Sequence, residues 1–273
     1  MMIAVIGGGA MGEAIIAAFL NRKKTVSENL KVHDASKERR ALLKERYSVM
    51  MCNNNVTAVQ QTHVVVLAVK PQNLEEVMAE IKGQVLGNHL VISVVAGASL
   101  ETLTRGLDHG GVVRVMPNIG ARAGAAVSLW TAASGVDQSM KDRARSLLEA
   151  LGTEVYTDQE SYLDMATAVS GSGPAYFFLF VEALVDAATR IGLPKDLAEK
   201  LVLGTLKGSQ RLLEGTGEGT GETAAQLRES VTSPGGTTAQ ALARFEEGDL
   251  RGMVAAAVKS AYQKARELGE KGG

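Results

Sequence analysis

A glycine-rich segment near the start of the chain constrains the fold more than any other feature of the sequence. A short β-branched run, Ile3–Ile6, leads into it, and a stretch of helical periodicity, Met11–Leu20, follows. This strand–turn–helix context is the one in which a G-x-G-x-x-G pattern binds a dinucleotide, since glycines and a helix N-terminus admit the pyrophosphate. We therefore expect a cofactor-binding loop, rather than a glycine-rich turn without a ligand, formed by Gly7, Gly8, Gly9, Ala10, Met11 and Gly12.

The first half of the chain alternates short apolar runs with amphipathic stretches, which is typical of βαβ units and a parallel sheet. Val64–Val69 is continuously apolar, as expected for a central strand covered on both faces. The pattern predicts an α/β fold with an N-terminal Rossmann domain over residues 1–160. The predicted strands are Ile3–Ile6, Leu30–Asp34, Val64–Val69, His89–Val95, Val112–Met116, Ala125–Ala132 and Thr153–Tyr156.

After about Asp158 the apolar spacing changes to three and four residues. The last such stretch, which begins at Leu250, places apolar residues on one stripe of a helix. The pattern predicts an all-α C-terminal domain over residues 161–273, with one of its helices opened by Pro194. Gly215–Gly221 is expected to be a flexible loop between helices, with phosphate binding as an alternative that no preceding strand supports.

Composition excludes several classes of partner. Lys and Arg number 29 against 30 Asp and Glu, the net charge is -1, and aromatic residues make up 4%, so nucleic acid is not an expected partner. The single cysteine, Cys52, indicates a cytoplasmic protein without disulfides, and one Cys with four scattered His gives no metal-site spacing. The apolar run Phe177–Val185 contains Glu182 and is too short to span a bilayer, so no membrane is expected.

The residues after the second strand leave the choice between NADH and NADPH open. Asp34 lies 22 residues beyond Gly12, where a carboxylate accepts hydrogen bonds from the adenosine ribose and disfavours a 2′-phosphate. This argues for NADH. A 2′-phosphate could instead be held by the residues that follow, namely Ser36, Lys37, Arg39 and Arg40, although these charges could also only solvate a helix.

The central strand ends at Ala68-Val69-Lys70-Pro71, at the edge of the sheet where ligands of doubly wound folds bind. We expect Val69 and Lys70 to border the nicotinamide ribose, although Lys70 could equally be a solvated charge. Val94–Gly97 and Met116-Pro117-Asn118 end the next strands and are expected to form walls of the same cleft.

Two segments of the helical half have unusual composition. The two glycines and the proline of Ser170–Pro174 are expected to break or kink a helix. Thr232–Thr238 contains a Pro-Gly-Gly turn that opens a helix and exposes N–H donors suited to a carboxylate. The alternative for this second segment is an ordinary helix start with Thr237 or Thr238 as N-cap.

Taken together, these motifs resemble those of the pyrroline-5-carboxylate reductases over almost the whole length of the chain. The two segments in the helical half are the most specific. The matching segments are Gly7–Gly12, Ala68–Gln72 (Ala-Val-Lys-Pro-Gln), Arg114–Asn118 (Arg-Val-Met-Pro-Asn), Val169–Tyr176 (Val-Ser-Gly-Ser-Gly-Pro-Ala-Tyr) and Leu227–Thr238, which contains Ser-Pro-Gly-Gly-Thr-Thr.

The resemblance implies reduction of 1-pyrroline-5-carboxylate to L-proline, the last step of proline biosynthesis, with NADPH (favoured in the family) or NADH as hydride donor and without a metal. It implies a homodimer formed through the helical domain, with a decamer of five such dimers as a larger assembly. The substrate would bind to the segment from Ser233 to Thr238. There the N–H groups near Gly235, Gly236 and Thr237 would bind its carboxylate, and the Thr238 hydroxyl would act catalytically on the ring nitrogen. Asn55, 13 residues before Ala68, would contact the cofactor.

Two departures from the family pattern accompany this resemblance. The family continues Met-Pro-Asn with Thr-Pro, whereas this chain has Ile119-Gly120, and it commonly has a small polar residue in place of Asp34. Competing interpretations are a 3-hydroxyacid dehydrogenase, with Lys207-Gly208 as its weak lysine motif, and a non-catalytic NAD(P)-sensing protein. None of the four His residues lies in the matched helical motifs, so we assign none as a general acid.

Overall fold

The computed structural model describes residues 1–215 and 221–271. The chain forms two compact units, one of Met1–Pro174 together with Lys259–Gly273 and one of Ala175–Val258. The last helix therefore begins in the second unit and ends in the first. The predicted loop at 215–221 lies outside the described residues except for its two ends.

The first unit is built on one sheet of eight strands in the order β3-β2-β1-β4-β5-β6-β7-β8. All neighbouring strands are parallel except the antiparallel pair β6 and β7. The strand order reverses between β1 and β4, which creates the crevice where doubly wound folds bind ligands. The strands are β1 Ile3–Ile6, β2 Leu30–His33, β3 Met50–Met51, β4 Val64–Leu67, β5 Leu90–Ser93, β6 Val112–Met116, β7 Ala126–Ala132 and β8 Gly152–Tyr156.

Helices connect the strands and make up most of the remainder of the described chain. The helices are α1 Ala10–Asn21, α2 Lys37–Tyr47, α3 Asn55–Val59, α4 Leu74–Ile81, α5 Leu100–Leu107, α6 Gln138–Leu148, α7 Ser161–Ala166, α8 Gly173–Arg190, α9 Lys195–Glu214, α10 Ala224–Ser230, α11 Thr237–Glu247 and α12 Leu250–Lys271. Short 3₁₀ turns form at Ser27–Asn29, Pro71–Asn73 and Ile119–Ala123, and a π-helical segment forms at Thr167–Gly171.

The predicted strands are confirmed, with ends that differ by one or two residues. The sequence analysis assigned neither the edge strand β3, of two residues, nor the helix α3, of five. Both are too short to show a hydrophobic period. A capping box stabilises the start of α3, in which the Asn54 side chain accepts from the Thr57 N–H and the Thr57 side chain accepts from the Asn54 N–H.

The core lies on both faces of the sheet, because side chains of a strand alternate between its faces. Ile3 and Val5 of β1 pack with Ile15 and Phe19 of α1 on one face. Ile6 of β1 packs with Ile81 of α4 on the other. Each large aliphatic side chain buried in this way contributes roughly 1.5–3 kcal/mol, which makes both faces of the central strands a source of stability.

A buried arginine joins three elements of the first unit. Arg114 of β6 is 5% exposed and donates to Glu160 at 2.9 Å and to Asp164 of α7 at 2.5 Å. The same oxygen of Glu160 accepts the N–H of Leu100, the first residue of α5, at 2.7 Å. This ion network fixes the start of α7 to the sheet and to α5.

The expected break or kink at Ser170–Pro174 takes the form of a π-helical segment over Thr167–Gly171, which interrupts the regular α-helix between α7 and α8 without ending the helical stretch. The whole stretch Ser161–Arg190 spans 30 residues and is, by length and composition, long and apolar enough to cross a membrane. The expectation that its apolar run was too short is therefore corrected. Its apolar side chains are largely exposed, with Phe177, Phe178 and Leu179 each 64–66% accessible.

Candidate functional site

The glycine loop after β1 has the geometry that a dinucleotide requires. Gly7 has φ +96°, and a Cβ there would lie 2.6 Å from the Ala68 carbonyl oxygen. A Cβ on Gly12 would overlap the Gly7 carbonyl oxygen. Gly9, by contrast, has nothing within 4 Å of a Cβ position, so the space beside it is open. The first and last glycines are thus needed for the turn and for helix packing, and the middle one leaves room for a pyrophosphate.

The start of α1 leaves its N–H groups available to a ligand. The N-cap residue is Gly9, and no side chain caps the helix. The first N–H groups of a helix have no partner within it, and together with the helix dipole they attract anions. The loop therefore fits the pyrophosphate of a nicotinamide dinucleotide.

Asp34 is fixed at the end of β2 by two backbone donors. Its Oδ2 accepts the Gly8 N–H at 2.7 Å, and its Oδ1 accepts the Ser36 N–H at 2.9 Å. Each carboxylate oxygen still has a free lone pair. Asp34 can therefore hold the loop and also accept a hydroxyl from a ligand.

The cations after Asp34 are turned toward the protein. Arg39 donates to the carbonyl oxygen of Gly8 and to Glu13, 2.6 Å away, and Arg40 donates to the carbonyl oxygens of Asp34 and Ala35. Ser36 caps α2 by accepting the Arg39 N–H. Among the three basic side chains of Lys37, Arg39 and Arg40, only that of Lys37 has no hydrogen bond or ion pair to the described part of the chain.

Glu13 of α1 is the shared hydrogen-bond acceptor of three side chains, two of them arginines. It accepts from Arg39 and Arg46 and, at 3.1 Å, from the Tyr47 hydroxyl. Burial raises the pKa of the Glu13 carboxyl, but the hydrogen bonds from Arg39 and Tyr47 and the nearby positive charge outweigh it and lower the pKa below its ordinary value. Glu13 therefore remains ionised and holds Arg39 in place against the glycine loop.

A cleft of about 500 Å³ lies beside the loop. Of the predicted cofactor residues, the cleft is lined by Gly7, Gly9, Asp34, Asn55, Ala68, Val69 and Lys70. Those that do not line it are Gly8, Ala10, Met11, Gly12, Ser36 and Pro71. The sequence analysis missed the other lining residues, namely Ile6, His33, Ala35, Gln72, Asn73, Glu76, Val77 and Glu80. Most of these lie on or just before α4, whose approach to β2 depends on tertiary packing and leaves no local sequence signal.

Asn118 and Gly120 form a closed turn where this chain departs from the family pattern. Asn118 caps the 3₁₀ turn by accepting the Gly120 N–H at 3.0 Å. A Cβ on Gly120 would lie 2.7 Å from the Ala125 carbonyl oxygen. Because proline has no N–H and carries a Cβ, the family's usual proline would not fit this turn.

The segments predicted as cleft walls at the ends of β5 and β6 are not among the residues that line the 500 Å³ cleft beside the loop. Met116 contacts the π-helical segment, where a Cβ on Gly171 would lie 2.5 Å from the Met116 Cε. This contact brings together two of the motifs that the sequence analysis singled out. The β5 end, at Val95–Ala98, lines a neighbouring cavity of about 290 Å³ together with Leu268 of α12, and Gln72 lines both this cavity and the cleft.

In the second unit, the Ser-Pro-Gly-Gly-Thr-Thr segment forms an uncapped helix start. The N-cap of α11 is Gly236, with no side-chain cap, so the alternative in which Thr237 or Thr238 caps the helix is wrong. Gly235 has φ +71°, and the Gly236 N–H donates to the Ser233 carbonyl oxygen at 3.0 Å. The 11-residue helix thus begins with N–H groups that no side chain satisfies, beside two threonine hydroxyls.

Cys52 shows no sign of activation as a nucleophile. Burial raises the pKa of the Cys52 thiol, which keeps it protonated and weakly nucleophilic. His33 lines the cleft, but one of its ring nitrogens is within hydrogen-bond distance of the Cys52 carbonyl oxygen, at 3.0 Å. Burial lowers the pKa of His89, which is only 3% exposed.

Two protein-family profiles match the chain. Residues 160–268 match the family described as pyrroline-5-carboxylate reductase dimerisation. Residues 2–97 match the family described as NADP oxidoreductase, coenzyme F420-dependent. The first match covers the exposed apolar helices, and the second covers the glycine loop and the cleft.

Curated relatives are similar over nearly the full length. The pyrroline-5-carboxylate reductase of a Synechocystis strain is 37% identical, covering 99% of both chains. This chain belongs to the pyrroline-5-carboxylate reductase family. Another pyrroline-5-carboxylate reductase, from Mycobacterium tuberculosis, is 38% identical, covering 97% of this chain and 96% of its own.

Solved structures of pyrroline-5-carboxylate reductases have the same fold. The Plasmodium falciparum enzyme, solved with NADP bound, has a TM-score of 0.89 at 28% identity and covers 98% of both chains. The Coxiella burnetii enzyme has a TM-score of 0.86 at 34% identity and covers 97% of both. The predicted fold class, a Rossmann domain followed by a helical dimerisation domain, is confirmed. The dimerisation match explains the exposed apolar face of Ser161–Arg190 by a protein partner rather than by lipid.

Proposed function

We propose that this protein reduces 1-pyrroline-5-carboxylate to L-proline with a reduced nicotinamide dinucleotide. The observation that carries the proposal is that one chain, matched to these reductases from end to end, forms both an open glycine loop and an uncapped Pro-Gly-Gly-Thr-Thr helix start. The bound dinucleotide supplies the hydride to the imine carbon. The ring nitrogen gains a proton, and no metal or nucleophile is needed for this balance.

The chain's own contribution is binding and electrostatics. The N–H groups at the start of α11, around Gly235, Gly236 and Thr237, bind the substrate carboxylate, as helix N-termini bind anions. The Thr238 hydroxyl donates a hydrogen bond to the ring nitrogen and aligns the imine for hydride attack. Ser233, at the start of this segment, also binds the substrate. A C=N bond is a ready hydride acceptor once its nitrogen is protonated or hydrogen-bonded, so positioning accounts for the catalysis.

For the cofactor, we propose that NADH is preferred over NADPH. Asp34 is fixed at the cleft, and Arg39 and Arg40 are committed to the protein. The charged side chains that line the cleft are three carboxylates, Asp34, Glu76 and Glu80, and one ammonium, Lys70. Such a wall repels the 2′-phosphate of NADPH and accepts the hydroxyls of NADH. The opposite preference, for NADPH, is supported by the Plasmodium relative, whose structure was solved with NADP bound.

For the assembly, we propose a homodimer formed through the helical region from residue 161 onward, and a decamer made of five such dimers. The support is the dimerisation match over residues 160–268 and the large apolar residues exposed there. The same range supports a domain division at residue 160, which lies earlier in the chain than the compact units divide. We place the protein in the cytoplasm, with the substrate, its product L-proline and the dinucleotide as its small-molecule partners.

One assay tests the proposed function directly. Loss of reduced nicotinamide absorbance is followed with 1-pyrroline-5-carboxylate, using NADH and NADPH in parallel, and L-proline is quantified at the end. We expect turnover with both dinucleotides and a higher kcat/KM with NADH. Dinucleotide binding without turnover of any cyclic imine would favour a non-catalytic NAD(P)-sensing protein. Turnover of a 3-hydroxyacid instead would favour the dehydrogenase alternative.

A further inference from the structure

Asn55 is the first residue of α3. The nitrogen of its side-chain amide is hydrogen-bonded, and the oxygen is not. The residue is 7% exposed and lines the dinucleotide cleft. Its Nδ2 donates to Glu80 Oε2 at 2.7 Å. Its Oδ1 is buried and accepts no hydrogen bond from any described residue.

The orientation of this amide is dictated by chemistry. An ionised carboxylate can only accept hydrogen bonds, so the nitrogen of the Asn55 amide must face Glu80 and the oxygen must face away from it. Without Glu80 the amide could rotate by half a turn and present either atom. Glu80 therefore decides that the free hydrogen-bonding group in the wall is an acceptor.

A buried acceptor without a partner is unfavourable, and a donor from a ligand would remove that cost. Glu80 and Asn55 line the same cleft as Gly9, of the glycine loop, and Asp34, at the end of β2. Asn55 follows β3, which pairs with β2, so it lies on the Asp34 side of the strand-order reversal, where the adenosine half of a dinucleotide binds. The donors on that half are ribose hydroxyls and the adenine amino group, whereas a phosphate dianion has none.

We propose that Glu80 is a positioning residue of the dinucleotide site. It holds the Asn55 amide so that Oδ1 accepts a hydrogen bond from the adenosine half. This inference rests on the proposed function, because it requires that the cleft binds the dinucleotide. It adds a residue of α4 that acts through Asn55.

The test is isothermal titration calorimetry with NADH and with ADP-ribose, which keeps the adenosine half and lacks nicotinamide. Glu80→Leu removes the acceptor for Nδ2, and we expect it to weaken both ligands by a similar factor of about three to ten, within the range of one hydrogen bond. Glu80→Gln keeps an acceptor oxygen, and we expect it to bind within about twofold of the wild type. Glu75→Gln removes a charge from the same helix outside the cleft and serves as the matched control.

A double-variant cycle separates positioning from a merely structural role. If Glu80 acts through Asn55, the pair Asn55→Ala and Glu80→Leu should bind no more weakly than Asn55→Ala alone. Thermal midpoints of all variants identify any that fail to fold, and Glu80→Ala, which also removes the acceptor for Nδ2, replaces Glu80→Leu if that variant is one of them. Unchanged affinity of a folded Glu80→Leu, or full additivity in the cycle, would overturn the inference. A wild type that binds neither ligand would overturn the proposed function instead.

Discussion

At the scale of single residues, Thr238 is the decisive test of the proposed chemistry. Thr238→Ala should lower kcat by about ten- to a thousandfold, because it removes one positioned donor to the ring nitrogen. Thr238→Ser should retain most activity, since the hydroxyl survives. The measurements are kcat with saturating substrate and the thermal midpoint of each variant.

The start of α11 allows a catalytic role of Thr238 to be distinguished from a helix-capping role. Because Gly236 is the N-cap of α11 and no side chain caps the helix, Thr238→Ala removes no capping hydrogen bond. Its thermal midpoint should therefore stay close to that of the wild type, whereas loss of a capping side chain would cost about 1 kcal/mol. Full turnover by the Ala variant would remove Thr238 from the reaction.

Asp34 is the residue that we expect to set the cofactor preference. Asp34→Ser removes a charge that repels the 2′-phosphate and should raise the NADPH/NADH ratio of kcat/KM by roughly tenfold, about 1.4 kcal/mol. The variant also loses a backbone partner of Gly8 or Ser36, which would weaken both cofactors alike. The ratio separates the two effects.

The control for this prediction is Glu45→Ser, which removes an exposed carboxylate from α2 outside the cleft. It should leave the ratio unchanged. If Asp34→Ser also left the ratio unchanged, the preference would lie with Lys37, the basic residue of this segment without a partner in the described chain. Lys37→Ala would then become the informative variant.

At the scale of elements, the local pattern predicted the strand–loop–helix unit correctly. Ile3–Ile6, the glycines and α1 are contiguous, so their conformations depend on neighbours in the sequence. The pair Asn55 and Glu80 could not be predicted in this way, since it is made by the packing of α3 against α4 across 25 residues of sequence. The hydrogen bond from Arg39 to Glu13 could not be predicted either, because the sequence of a basic segment does not indicate whether its side chains face a ligand or the protein.

Helix boundaries show a second limit of sequence reasoning. Ser170–Pro174 contains residues that usually end a helix, yet the chain inserts a π-helical segment and α8 begins immediately afterwards. Pro174 is tolerated because it is the second residue of α8, where its missing N–H would have no helical partner. The composition thus predicted that the regular helix is disturbed here, but it did not predict that the disturbance is a π-helical segment rather than a helix end.

The Arg114 network is the contact between elements with the clearest energetic consequence. Arg114→Leu would leave Glu160 and Asp164 without their cation, and removing one partner of a buried ion pair costs about 3–5 kcal/mol. The two carboxylates are 33% and 26% exposed, so we expect the lower part of that range or somewhat less. The measurement is the thermal midpoint, which should fall by about 5 °C or more for a chain of this size.

An exposed ion pair in the same unit provides the matched control. Arg105 lies 4.0 Å from Glu101, with side chains 67% and 84% exposed. Arg105→Leu should change the midpoint by no more than about 3 °C, because exposed pairs contribute about 0–1 kcal/mol. Equal effects of the two substitutions would mean that the Arg114 network contributes no more than a surface pair.

At the scale of the whole molecule, the exposed apolar residues of the second unit require a partner. Phe177, Phe178 and Leu179 follow one another on α8 and are each about two-thirds exposed. Monomers rarely expose contiguous apolar surface of this kind, and symmetric association of identical chains is the common way to cover it. The dimerisation match over residues 160–268 identifies the partner as a second copy of the chain.

We therefore expect an obligate dimer whose stability depends on protein concentration. Light scattering at micromolar concentration should give at least the dimer mass, and the thermal midpoint should rise with concentration, because association stabilises the folded state by mass action. Phe178→Glu places a charge on this apolar surface and should shift the protein toward monomer with a lower midpoint. Val127→Glu, at a 40% exposed position of β7 in the first unit, controls for the added charge. A stable and active monomer of the wild type would contradict the dimer, and a mass of ten chains would establish the proposed decamer.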